Sequence, residues 1–452
     1  MSHPLFLKHQ ALLDQAMAAI ATRGYWTPFS EKPSPQVYGE DAMQKGKAAY
    51  EALLGVPFDL DQPGQTAWCG GEQSPYGMPL NITYPQCDTA ALIEAGEAAM
   101  RGWQAIGAAG RTGVCLEILT RLNQQSFELA HAVMMTTGQG LMMAFQAGGP
   151  HAQDRGLEAV AYAWREQSFI PSESIWEKPQ GKNPSIVMKK SFEIVGRGVA
   201  LVIGCGTFPT WNTYPGLFAA LATGNAVIVK PHEQAILPAA ITVRTVRAVL
   251  SEQGLDPNLV TLAIDTTSEP IGKVLIKHPK TAIVDFTGSV RFGQWVEQNA
   301  HPALAFTETA GCNTVVLESA QDLDAALRNL ATTMCLFSAQ MCTSPQNIYI
   351  PQSGVNTPHG TVPFHEVAQR LASAVQALTS DPKKASMILA TIQSPQTLAL
   401  LQDLQVQGQL RGQVLLSPQP YAHPEFPGAR TSTPLMLQVS TRERDLYAQE
   451  RF

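Results

Sequence analysis

Between residues 198 and 286 the chain alternates short apolar runs with helical segments, and this alternation restricts the fold more than any other feature. Residues 198–204, 226–229, 259–264 and 281–286 have strand length and few polar side chains. Residues 214–222 and 237–252 carry helical spacing between them. Gly224-Asn225 fits the end of the first helix, because glycine accepts a positive φ at little cost. Apolar strands separated by helices predict an α/β fold with a parallel, doubly wound sheet. Such sheets bind ligands beyond the C-terminal ends of their strands, so the turns after Val229 and Phe286 are the first places to look.

The first turn reads Lys230-Pro231-His232-Glu233. The Glu233 carboxylate can accept hydrogen bonds from ribose hydroxyls, although a solvated turn has the same composition. The second reads Thr287-Gly288-Ser289, with Ser289 opening a helix. The N–H groups and dipole of a helix start suit a pyrophosphate, and an ordinary Ser-capped turn looks alike. The chain has no G-x-G-x-x-G, and Asp265-Thr266-Thr267-Ser268 follows the third strand.

Further on, Leu323, Ala326, Leu327, Leu330 and Met334 recur at helical spacing behind Asp322, a natural N-cap. The next strand is predicted over 347–350, which leaves Cys342 on a loop, where reactive groups are often placed. A lone cysteine is ordinarily a small buried residue. This one has Glu308 at 34 positions upstream (342 − 308), across one strand-like run and one helix. A thiol that attacks a carbonyl makes a thioester, and a carboxylate can activate the water that releases it.

Taken together these motifs resemble those of the aldehyde dehydrogenase superfamily. Gln340-Met341-Cys342-Thr343 is similar to its G-Q-x-C nucleophile motif, and Thr307-Glu308-Thr309-Ala310-Gly311 to its E-L-G-G base motif. Lys230–Glu233 resembles K-P-S-E, Phe286–Ser289 resembles F-T-G-S, and Glu450-Arg451-Phe452 resembles the start of E-x-F-G-P. The resemblance runs from about Asn81 to Phe452 and is strongest to the phenylacetic acid degradation type called PaaN. It implies that Lys230, Glu233, Gly288, Ser289, Glu450 and Phe452 bind NAD or NADP, with Cys342 as nucleophile and Glu308 as base. Glu233 favours NAD, because a carboxylate repels a 2′-phosphate. The family's P-W-N-F-P reads Cys205-Gly206-Thr207-Phe208-Pro209 in ungapped register. Thr207 then stands at the oxyanion-binding Asn, Asn212 competes for that role, and the family's frequent Lys on the next helix becomes Gly216.

The expected organisation is an N-terminal extension over 1–80, an NAD(P)-binding domain from 81–165 and 198–307, an oligomerisation hairpin over 166–197 and a catalytic domain over 308–452. Because the chain stops inside the last motif, the catalytic domain is expected to be C-terminally incomplete. The extension reads as a packing arm, with helix over 9–21 and a short helix over 50–58. The implied reaction is oxidation of an aldehyde to an acid. The PaaN resemblance adds a CoA-linked semialdehyde from aromatic catabolism as substrate, and a homodimer or higher homo-oligomer when full length. A CoA-acylating dehydrogenase and a non-catalytic aldehyde-dehydrogenase-like subunit are the alternatives. Glu308 argues against the first, while Thr207, Gly216 and the unfinished last motif speak for the second. A net charge of −6 argues against nucleic acid and anionic membranes as partners. No apolar run approaches the roughly 20 residues of a membrane span, and no signal peptide is evident. Seven scattered cysteines without C-x-x-C predict reduced thiols in the cytoplasm and no metal site.

Overall fold

The computed structural model describes residues 3–449. Five parallel strands form the central sheet, in the order Val260–Leu262, Ala226–Lys230, Val199–Ile203, Thr281–Gly288, Leu304–Thr309. In chain order this is 3-2-1-4-5, so the winding reverses between Val199–Ile203 and Thr281–Gly288. That reversal opens a crevice at the strands' C-terminal ends. Val199–Ile203 is buried along its whole length, and each such aliphatic side chain contributes about 1.5–3 kcal/mol. The fifth strand opens with a short apolar run, Leu304-Ala305-Phe306, that is left exposed at the edge of the sheet. It is nevertheless the strand that carries Glu308.

Helices cover the sheet. Tyr214–Ala222 packs on Pro150–Ser168, and Leu237–Glu252 packs on Gly107–Gln124. Residues 173–191 leave this body as an antiparallel hairpin, Glu173–Gln180 with Asn183–Ser191, turning at Gly181 with φ 64°. Its side chains Ile175, Val187 and Met188 are exposed.

The first 80 residues are woven into this body. The Gln62 side-chain amide donates to Leu262 O (2.7 Å) and accepts from Leu262 N (2.9 Å), which occupies the edge of the sheet like a one-residue strand. Glu72 is buried and accepts from Ile236 N (2.6 Å), Leu237 N (3.0 Å) and Tyr84 Oη (2.5 Å), capping the helix Leu237–Glu252. Burial pushes its pKa up to about 7, although all three donors pull the other way. The helix expected over 50–58 lies earlier, at Ala42–Glu51. Gly55, with φ 72°, and Pro57 stop it from extending.

From Thr314 the chain builds a second apolar cluster, with Leu327, Ala331, Val367 and Leu371 at its centre. It holds a parallel pair, Thr314–Val316 with Asn347–Tyr349, and an antiparallel pair, Gly412–Leu416 with Met436–Val439. The helix Leu323–Cys335 starts at its expected cap, with Ala325 N donating to Asp322 Oδ1 (2.9 Å). The two bodies meet at Gly138. Its carbonyl accepts from Thr391 N (3.0 Å) and Thr391 Oγ1 (3.1 Å). Gly138 has φ 83°, and a Cβ there would sit 2.0 Å from Thr391 Oγ1, so only glycine allows this approach. No helix among the described residues is long and apolar enough to cross a membrane.

Candidate active site

A cleft of about 690 Å³ opens where the winding reverses. Its walls are the segments that follow the strands: Gly204, Cys205, Gly206, Thr207 and Phe208; Lys230, Pro231 and His232; Thr287, Gly288 and Ser289; Glu308 and Thr309. The second body supplies Gln340, Cys342 and Gln393. Seven of the residues singled out in the sequence therefore share one cavity: Cys342, Glu308, Thr207, Asn212, Lys230, Gly288 and Ser289. Glu233 follows the lining residue His232, and its carboxylate accepts from Thr267 Oγ1 (2.6 Å). Glu450 and Phe452 lie outside the described residues.

The Cys342 loop is held by unusual backbone. Phe337, Ser338 and Ala339 all have positive φ (51°, 52° and 58°), at about 1–2 kcal/mol each for a residue with a Cβ. Their surroundings fix that conformation. Phe337 is buried edge-on against Phe208, with ring centroids 5.6 Å apart. Ser338 Oγ donates to Leu389 O (2.7 Å). The buried Gln340 amide donates to Thr391 O (2.8 Å) and Phe337 O (3.2 Å), and accepts from Gln393 N (2.8 Å). Gln393 in turn donates from its side chain to Gly206 O across the cleft. Asn313 Nδ2 donates to Cys342 O (2.5 Å) and Ser344 O (3.3 Å), so the base-bearing segment grips the nucleophile loop.

The turns after the strands are equally specific. Ser289 N-caps the helix Val290–Asn299, its Oγ accepting from Phe292 N (3.4 Å). The helix's positive end and unpaired N–H groups thus open at the cleft. Lys230 Nζ is paired with Asp265 Oδ1 at 2.6 Å, both side chains largely buried, and Asp265 Oδ2 accepts from Ile271 N (3.1 Å). Sequence reasoning gave Asp265 no partner, because the two residues are 35 positions apart and meet only through neighbouring strands.

Thr207 and Asn212 differ in their commitments. Thr207 Oγ1 lies 3.5 Å from Cys205 Sγ, and Thr207 O accepts from Gln139 Nε2 (2.7 Å). Asn212 sits in the turn before the helix Tyr214–Ala222, its N–H donating to Phe208 O (3.1 Å). Its side chain is only 7% exposed, faces the cleft, and makes no hydrogen bond among the described residues. Cys205 is a second thiol on the cleft wall, and burial pushes its pKa up.

A cleft at the winding reversal, holding a thiol, a carboxylate and a helix start, defines a class that comparison names. A profile described as "Aldehyde dehydrogenase family" matches residues 82–452, and the chain belongs to that family. A crystal structure of an NAD-dependent aldehyde dehydrogenase from Burkholderia multivorans is 52% identical, with a TM-score of 0.97 over 100% of this chain and 80% of that one. The N-succinylglutamate 5-semialdehyde dehydrogenase of Burkholderia lata is 26% identical over 309 residues, or 67% of this chain. That match spans 58% of the relative, less than two thirds of its length. A mutant 1-pyrroline-5-carboxylate dehydrogenase from Thermus thermophilus, 18% identical, shares the fold at a TM-score of 0.74, covering 95% of this chain and 80% of that one.

Proposed function

We propose that this protein oxidises an aldehyde to its carboxylic acid with NAD or NADP, through a thioester on Cys342. The observation that carries this reading is that Cys342, Glu308 and the two nucleotide-type turns line one cleft. The Cys342 thiolate attacks the aldehyde carbon and forms a thiohemiacetal. NAD or NADP, when bound, would supply the acceptor for the hydride that this adduct loses, leaving a thioester on Cys342. Glu308 then takes a proton from water as that water attacks the thioester, and the acid leaves. For the cofactor, the N-terminus of Val290–Asn299 suits a pyrophosphate, and Lys230 with Glu233 suits the adenosine ribose. The structural relative from B. multivorans is an NAD-dependent aldehyde dehydrogenase, which agrees with this reading.

The substrate we infer is a CoA-linked semialdehyde of the PaaN type, on the strength of the motif resemblance. The exposed apolar hairpin, with Ile175, Val187 and Met188, we assign to pairing with a second copy of the chain. The test of function is an assay of free and CoA-linked aldehydes with NAD and NADP, with the product analysed. Free acid supports the reading; acyl-CoA formed only when CoA is added overturns it.

For the oxyanion donor, Asn212 is better placed than Thr207. Its amide makes no hydrogen bond among the described residues and faces the cleft, whereas the Thr207 hydroxyl is beside Cys205. Asn212→Ala is expected to lower kcat by about 10²–10³-fold, the usual cost of one oxyanion donor. Thr207→Val should stay close to wild type, and the opposite ranking of kcat values would return the role to Thr207.

Cofactor choice follows from charge. Lys230 is already neutralised by Asp265, and Glu233 adds a second carboxylate. A 2′-phosphate entering there meets net negative charge, so NAD should bind more tightly than NADP. Asp265→Asn, which leaves Lys230 unpaired, should narrow the NAD:NADP ratio of dissociation constants by about tenfold, or roughly 1.4 kcal/mol. Fluorescence titration with each nucleotide reads this directly; an unchanged ratio would remove Asp265 from cofactor selection.

A further inference from the structure

Behind Glu308 lies a second carboxyl that neither the motifs nor the mechanism uses. Asp285 is in the middle of the strand Thr281–Gly288, in an otherwise apolar stretch. Thr287 pairs with Glu308 and Asp285 pairs with Phe306, two residues earlier on each strand. Side chains two apart on a strand share a face, so Asp285 and Glu308 are diagonal neighbours on one face of the sheet. Glu308 is at the cleft, and Asp285 is one step deeper.

The fold makes room for this carboxyl. Gly216, on the helix above, has no side chain, and a Cβ there would lie 2.6 Å from Asp285 Cγ and 2.7 Å from Oδ2. The absence of a side chain at 216 and the carboxyl at 285 are thus one steric unit. Among the described residues the Asp285 side chain makes no hydrogen bond or ion pair. The charged group that acts on it is Glu308. The strand Val199–Ile203 and the helix Tyr214–Ala222 offer no charge, and Tyr214 Oη is engaged by Thr242 (3.0 Å). The remaining elements around the strand direct their charges elsewhere. Lys273 and Lys277 lie over the Trp295 ring, Glu297 accepts from Thr307 Oγ1, and Arg291 is exposed. Burial pushes the Asp285 pKa up to about 6, and the Glu308 charge adds to the rise.

We propose that Asp285 is a positioning residue for the deacylation step, whose negative charge behind Glu308 strengthens Glu308 as the base that deprotonates the hydrolytic water. This rests on the thioester reading above. The two carboxyls are diagonal neighbours in the sheet, so negative charge on Asp285 repels negative charge on the side chain in front of it. Taking the proton from water relieves the repulsion between them. Oxygen of water bonds to the acyl carbon, its proton passes to Glu308, and the Cys342 sulfur leaves as thiolate.

The test uses 4-nitrophenyl acetate without any nucleotide. The Cys342 thiolate displaces 4-nitrophenolate, giving a burst, and the steady rate that follows is thioester hydrolysis. A wild-type burst of one equivalent, lost in Cys342→Ala, secures the thiol chemistry; without it, the functional reading fails rather than this inference. Asp285→Asn should keep the burst but lower the steady plateau about threefold and move its acid limb about one unit to lower pH. Asp285→Ala with Gly216→Ala, which refills the space, should show the same shift. Thermal unfolding confirms that both variants are folded. An acid limb that stays in place in folded variants, or moves to higher pH, overturns the proposal, whatever happens to the plateau.

Discussion

Cys342→Ala is expected to reduce aldehyde oxidation by about 10⁴-fold or more while leaving nucleotide affinity nearly unchanged. On the proposed reading a thiohemiacetal forms before hydride leaves, and the thiolate is the form of cysteine that attacks. Cofactor affinity should survive, because the nucleotide-type turns belong to the sheet, whereas Cys342 comes from the second body. The natural competitor is Cys205 on the same wall. Burial raises its pKa and starves it of thiolate at neutral pH. Cys205→Ser should therefore keep most of the rate. Stopped-flow NADH formation on both variants decides the matter: turnover that persists in Cys342→Ala and disappears in Cys205→Ser would reassign the nucleophile.

Glu308→Gln should separate the two halves of the reaction. Acylation does not need this carboxylate, so a burst of NADH equal to the enzyme concentration should appear at close to its normal rate. Hydrolysis does need it, and the steady state should fall by about 10²–10⁴-fold. Gln fills the same volume on an exposed strand position, so folding should be indifferent to the change. Quenching after the burst and finding acyl on Cys342 by mass spectrometry would confirm where the reaction stalls. A steady state equal to wild type would remove Glu308 from the mechanism.

The sheet was readable because its inner strands are continuous apolar runs and its turns carry chemistry-bearing residues at the strand ends. The fifth strand was not singled out, since Leu304-Ala305-Phe306 is a short apolar run whose place at an exposed sheet edge depends on its neighbours in space. Cys342 could be placed on a loop after a helix, yet the loop's shape was hidden. Three successive left-handed residues without a glycine have no local signature and exist only because Gln340, Ser338 and Phe337 are held by distant partners. Glu72 and Asp285 were invisible for a related reason. Each is a single acid whose burial depends on segments far away in sequence, one on the helix at Leu237 and the other on the gap at Gly216. Asn212 and Thr207 were both legible as candidates for the oxyanion donor, and ungapped counting favoured Thr207. Only the hydrogen-bond commitments of the two side chains separate them.

The contact at Gly138 has a further meaning. Thr391 touches Gly138 on one side and accepts from Gln340 on the other, while Gln393 links Gln340 to Gly206. The thiol's address is therefore written jointly by both halves of the molecule. On the reading proposed above, a half-assembled chain would hold Cys342 and Glu308 without aligning them. On that reading, reactivity belongs to the join between the halves and not to either half alone.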